Sequence, residues 1–101
     1  MLITRWQAKE VPSIEQLKMI LLSEGQDLKE EIFPGGQEIG EHKHPFEEIR
    51  IIHTGRMIFN FTGNKVLLRS GDKIIIPPNT KHSMEVQGEE ECSSIVAYRP
   101  F

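Results

Sequence analysis

The chain has 101 residues, enough for one compact domain and too few for two. Its 38% hydrophobic and 27% charged content is that of a soluble globular protein. The formal charge of −3, with no concentrated run of Lys or Arg, argues against a nucleic-acid partner.

Cys92 is the only cysteine, which excludes an intramolecular disulfide and a thiolate zinc cluster. A single thiol, with no apolar signal-peptide core in Met1–Glu10, points to the reducing cytoplasm. The longest strictly apolar runs, Met19–Leu22 and Ile74–Pro78, are far too short to span a bilayer.

In chain order, Pro12-Ser13 followed by Gln16 reads as a helix N-cap with its capping-box partner. Ile14, Leu17 and Leu21 follow at helical spacing and Gly25 supplies a stop, so one short helix is predicted over 13–23. From Leu28 onwards short apolar stretches alternate with turn residues. Glu31–Phe33 ends at Pro34-Gly35-Gly36, Ile49–His53 at Thr54-Gly55, and Met57–Phe61 at the hairpin signal Thr62-Gly63-Asn64. Val66–Arg69 ends at Ser70-Gly71-Asp72, Lys73–Ile76 at Pro77-Pro78-Asn79, and Ser94–Tyr98 closes the series. Strands with this punctuation, about seven to nine of them, define an all-β sandwich or barrel. Residues 1–27 read as an extension and helix packed on a barrel formed by residues 28–101.

Three histidines carry the chemistry. His42 and His44 are two residues apart and on a strand would project from one face; Glu48, four residues further, shares that parity. His82 follows the Pro77-Pro78-Asn79 turn on a segment able to return beside them. A lone His-x-His is more often surface decoration than a ligand pair. Three imidazoles with one carboxylate, however, would form a borderline-hard site for one divalent Fe, Mn, Ni, Zn, Co or Cu ion. A ligand set without cysteine argues against the closed, thiolate-rich structural zinc site.

The stretch from Gly36 through His42, His44 and Glu48 to Gly55 resembles the first motif of the cupin superfamily, G-x5-H-x-H-x3-E-x6-G, at every fixed position. The stretch from Gly71 through Pro77 to His82 is similar to the second, G-x5-P-x-G-x2-H-x3-N, with Asn79 in place of its Gly and Val86 in place of its Asn. Both departures are mild, because Asn tolerates a left-handed turn and the motif's last position is not a ligand. The 15 residues between Gly55 and Gly71 resemble the spacing of the small single-domain microbial members. The resemblance implies a single antiparallel β-barrel of jelly-roll type with a metal in its mouth. It carries the ligand roles over to His42, His44, Glu48 and His82, with coordination positions open for substrate.

Arg50 shares the parity of Glu48 and should point inward, either to receive a substrate anion or to pair with an internal glutamate. Met57, Phe59, Phe61 and Met84, with Val86, fall on inward parity and either line a pocket or fill the core. Glu47 has the wrong parity and should face out, and His53, just before the turn at Gly55, reads as a solvent-facing loop residue. Cys92 follows the Gly88-Glu89-Glu90-Glu91 run with nothing to lower its pKa.

Two functions remain open on this reading. One is a small-molecule metalloenzyme of dioxygenase, isomerase or decarboxylase type, acting on an oxygen-rich or anionic substrate. The other is a binding or sensing module with a structural metal. A homodimer, with residues 1–12 taking part, is expected in either case.

Overall fold

Ser13 caps helix α1 (Ile14–Leu22) in the computed structural model, which describes residues 1–100. The Ser13 hydroxyl accepts from the Gln16 amide while the Gln16 side chain accepts from the Ser13 amide, satisfying two of the donors a helix start leaves free. Leu17 and Leu21 are fully buried on one face. The Gly25 amide ends the helix by donating to the Leu21 carbonyl at 2.9 Å.

Among the described residues the remaining elements are nine strands: β1 (Leu2–Thr4), β2 (Gln26–Phe33), β3 (Glu38–His42), β4 (Glu47–Thr54), β5 (Met57–Phe61), β6 (Asn64–Leu68), β7 (Lys73–Ile76), β8 (His82–Val86) and β9 (Cys92–Arg99). They form two antiparallel sheets, one of order β1-β7-β4-β9-β2 and one of order β3-β8-β5-β6. Their facing sides enclose the core, a jelly roll. Strict alternation on β5 and β8 sends Met57, Phe59, Met84 and Val86 inward, where they meet Ile52, Leu68, Ile74, Ile76 and Cys92.

Strand β4 is buried on both faces, from Glu48 to Ile52. Ile49 and Ile51, with Ile95 and Ala97 of β9, lie on the outer face of the larger sheet beneath Leu17 and Leu21 of α1. Burying a leucine side chain stabilises by about 1.5–3 kcal/mol, so α1 is held to the sheet chiefly by these two. Glu48, Arg50 and Ile52 take the other parity and look between the sheets.

The turn after β5 has Thr62 and Gly63 at φ 47° and 83°, the left-handed pair that a two-residue hairpin requires. Residues 1–12 supply a strand that periodicity alone does not reveal. Leu2–Thr4 pairs with β7 of its own chain, Leu2 opposite Ile75 and Thr4 opposite Lys73. Asp72 anchors the residues just beyond β1. Its carboxylate accepts from the Trp6 amide (2.9 Å), the Arg69 amide (2.9 Å) and the Arg5 guanidinium (2.8 Å).

Candidate metal centre

His42 is the last residue of β3 and His82 the first of β8, and the two are Cα partners across that pair. His44 lies beyond the strand end, in the connection to β4. Its carbonyl accepts from the Asn79 amide at 2.6 Å, which ties the β3–β4 connection to the β7–β8 turn. Asn79 adopts φ 58°, the left-handed conformation expected where the second motif has glycine.

The expectation that His42, His44 and Glu48 project from one strand is corrected by this arrangement. Between them the chain leaves the four-stranded sheet and enters the five-stranded one. Pro45, which has no amide to donate and restricts the residue before it, stands at the crossing. Glu48 therefore approaches the histidines from the facing sheet rather than along their own strand.

The three histidines converge. One nitrogen from each of His42, His44 and His82 lies within 4.8 Å of the others, with ring centroids 4.3 Å (His42–His82), 5.0 Å (His42–His44) and 5.8 Å (His44–His82) apart. The Nδ1–H of His42 donates to the Gly40 carbonyl and that of His82 to the Thr80 carbonyl, both at 2.8 Å. Each bond fixes the tautomer that leaves an Nε2 lone pair. The Nε2 atom of His82 is buried and has no hydrogen-bond partner. Burial pushes the His82 pKa down, reinforced by His42 and His44 and opposed by the Thr80 carbonyl and Glu48, so the ring is held neutral. The orphaned Nε2 of His82, converging with nitrogens of two more imidazoles, is the kind of donor set a divalent transition metal needs.

Glu48, 2% exposed, brings Oε1 to 3.4 Å from His44 Nε2 and Oε2 to 3.3 Å from Arg50 Nε. Arg50 points inward and is equally buried, and its other nitrogens bond Ser94 Oγ at 2.7 Å and Glu31 Oε1 at 2.6 Å. Met57 and Phe59 are fully buried and Met84 nearly so, while Phe61 is half-buried. Phe59 and Phe61 stack and stand 6.5 and 6.0 Å from the His82 ring, giving the centre one apolar wall.

Glu47 takes Arg99 at 2.5 Å, and neither it nor Glu48 belongs to the cluster of ring nitrogens within 4.8 Å; of the two, Glu48 is the one in contact with His44. His53 is corrected from a loop residue to a half-buried member of β4, its Nδ1 3.4 Å from Ser93 Oγ. Cys92 is fully buried, and burial pushes its thiol up to about 11. Sequence reasoning missed three neighbours of the site. Phe46 stacks on His44 with centroids 5.0 Å apart, Tyr98 meets Phe46 edge-on at 4.7 Å, and Glu31 holds Arg50. Phe46, between His44 and Glu48 in the first motif, carried a local signal; the other two become neighbours only through sheet pairing.

A small jelly roll with converging histidines between its sheets defines a class of barrel protein with a candidate metal site. The chain belongs to the cupin family: residues 29–98 match its Cupin domain. An uncharacterised protein of Methanocaldococcus jannaschii is 41% identical over 78 residues, 75% of this chain and 62% of that one. Acireductone dioxygenase of Bacillus licheniformis is 39% identical over 66 residues, 60% of this chain and 35% of that one. The chain thus spans less than two thirds of the length of either curated relative. Among solved structures, a predicted oxalate decarboxylase from Thermotoga maritima superposes with a TM-score of 0.68 over 98% of this chain and 79% of that one, at 20% identity. This last likeness is one of fold.

Proposed function

We propose that this protein is a metal-dependent cupin enzyme of dioxygenase, isomerase or decarboxylase type, acting on a small oxygen-rich or anionic molecule. The observation that carries the reading is the convergence of three imidazole nitrogens within 4.8 Å, one of them the orphaned Nε2 of His82. The likeness to acireductone dioxygenase over 60% of the chain supports it. His42, His44, Glu48 and His82 would hold the ion, which when bound supplies Lewis-acid polarisation of a substrate's oxygens.

The chain's own groups have definite tasks on this reading. The Gly40 and Thr80 carbonyls keep two rings oriented, and Glu48 contributes the one negative charge at the centre. Phe59, Phe61 and Met84 keep water from one side and give a substrate an apolar surface to lie against. Arg50 is read as the partner of Glu48 rather than of a substrate anion, because two carboxylates already hold it. The protein acts in the cytoplasm as a homodimer, with the exposed apolar side chains of Met19, Leu22 and Ile32 available to the second copy. Among the described residues no helix is long and apolar enough to cross a membrane.

One observation favours non-catalytic binding instead. Glu48, the carboxylate in contact with His44, is engaged by Arg50 through its other oxygen, which leaves no free general base in contact with the three histidines. Metal analysis of protein purified without chelators, then dioxygen uptake and product analysis against enediols and β-dicarbonyls, separates the two. Turnover lost on His82→Ala supports the enzyme. Saturable ligand binding without turnover supports the binding module, and no metal uptake defeats both.

A further inference from the structure

Buried arginines are costly unless their charge is matched, and Arg50 is matched twice. Glu48 and Arg50 are two residues apart on β4 and share its inner face. Ser94 lies on the neighbouring β9, and Glu31 on β2 is the Cα partner of Ser94. Register pairs Ser94 with Ile52 on β4, so Glu48, Arg50, Ser94 and Glu31 share one inner face across three strands and Arg50 reaches diagonally to link them in a row of contacts. The row continues outward to Lys29, whose Nζ is 3.7 Å from the second oxygen of Glu31.

The row divides the two oxygens of Glu48 between different tasks. Oε2 is engaged by the Arg50 guanidinium, and only Oε1 is presented to the histidines, 3.4 Å from His44 Nε2. Without Arg50 the buried carboxylate would be uncompensated and free to turn. Without Glu31 the guanidinium would lose its outer partner and swing its fork fully onto Glu48, drawing that carboxylate away from the histidines. Opposed pulls on a single arginine thus keep Glu48 shared and fixed.

We infer that Arg50 and Glu31 are positioning residues for the metal centre, which present one oxygen of Glu48 to a bound ion and set its affinity. This rests on the metal reading proposed for His42, His44, Glu48 and His82. Glu31 is not part of the histidine cluster and acts only through Arg50.

Cobalt(II) titration, followed by the ligand-field absorption of the bound ion and by calorimetry, tests it on the full chain. Groups that orient metal ligands typically alter affinity by about 10- to 100-fold when removed. Glu31→Gln, on a partly exposed side chain, should weaken cobalt binding about tenfold and change the absorption spectrum. Melting with EDTA present should show that the variant remains folded. Arg50→Lys should fall between wild type and Arg50→Met, and Glu31→Gln added to Arg50→Met should cost nothing further. Glu47→Gln, at the neighbouring residue paired with Arg99, should leave the affinity unchanged.

Unaltered cobalt affinity and spectrum in Glu31→Gln would overturn the inference while leaving the metal site standing. An additive loss in the double variant would overturn it too, since Glu31 would then act independently of Arg50. No cobalt uptake by wild type would remove the metal reading and this inference together. If the Arg50 variants do not fold, Glu31→Gln alone decides.

Discussion

His42 and His82 face each other as Cα partners across β3 and β8, their ring centroids 4.3 Å apart. A third ring, His44, stands beside them, and burial favours the neutral form of His82. A divalent ion that binds the folded chain alone stabilises it by about 2.7 kcal/mol at a hundredfold excess over Kd. For a domain of this size that raises Tm by on the order of 10 °C. Thermal melts with and without added cobalt or nickel should show the rise, and EDTA should reverse it. His82→Ala should abolish it. An equal rise in wild type and His82→Ala would remove His82 from the ligand set.

Asp72 governs how the amino-terminal strap responds to acid. Burial raises its pKa, but the amides of Arg69 and Trp6 and the Arg5 guanidinium outweigh that and hold it below the ordinary 3.8. A carboxyl lowered in the folded state contributes stability that is present above its unfolded pKa. That contribution is lost as pH falls through the lower folded value. Asp72→Asn removes an acceptor oxygen from this cluster and should cost about 1–3 kcal/mol at neutral pH. Urea unfolding of the pair as a function of pH should show the gap closing below about pH 4. A gap independent of pH would mean that the charge of Asp72 is not what holds Arg5 and Trp6.

Much of this architecture was legible in local sequence. The capping box at Ser13 and Gln16, the left-handed Thr62-Gly63 turn and the inward parity of Met57, Phe59 and Met84 each depend on neighbours within a few residues. The convergence of His42, His44 and His82 was legible through motif spacing, but the route by which Glu48 arrives was not. Parity places Glu48 beside His44 on one strand, whereas the chain changes sheets at Pro45 and the carboxylate arrives from the opposite wall. Glu31, Tyr98 and the pairing of Leu2–Thr4 with β7 were hidden for a common reason. Each is a contact between strands distant in sequence, and periodicity reports which face a residue takes, not which strand lies alongside.

Gly71 shows how tightly the strap is fitted. Its φ is +88°, and a Cβ there would stand 2.5 Å from Trp6 Cγ and 2.6 Å from Trp6 Cβ. Gly71→Ala combines backbone strain with overpacking and should cost about 2 kcal/mol or more. In a Trp6→Ala background the clash with the indole ring disappears while that with the residue 6 Cβ and the backbone strain remain, so the penalty should shrink without vanishing. Chemical denaturation of the four proteins measures the coupling, and an identical penalty in both backgrounds would contradict the contact.

Helix α1 offers a paired test of burial. Leu21 is fully buried between α1 and the larger sheet, while Met19 on the opposite side is 72% exposed. Leu21→Ala should lower stability by about 2–5 kcal/mol. Met19→Ala should change the stability of the monomer by less than about 0.5 kcal/mol. Comparable losses from both, at a concentration where the protein is monomeric, would mean that the helix packs through a different face.

The reactivity of Cys92 is set by its burial. The thiol is fully enclosed in the core beside Met57 and Val86, and burial lifts its pKa to about 11, with Arg50 pulling weakly the other way. The thiolate is the reactive form, so at pH 8 its population is about 100-fold below that of an ordinary cysteine, before any steric shielding is counted. Ellman's reagent should therefore label the folded protein at least about 100-fold more slowly than the urea-unfolded chain. Saturating metal should slow it further if opening of the barrel limits access, since the ion stabilises the closed form. Rapid labelling of the folded chain would mean that β9 opens at its start, and would place Cys92 outside the core.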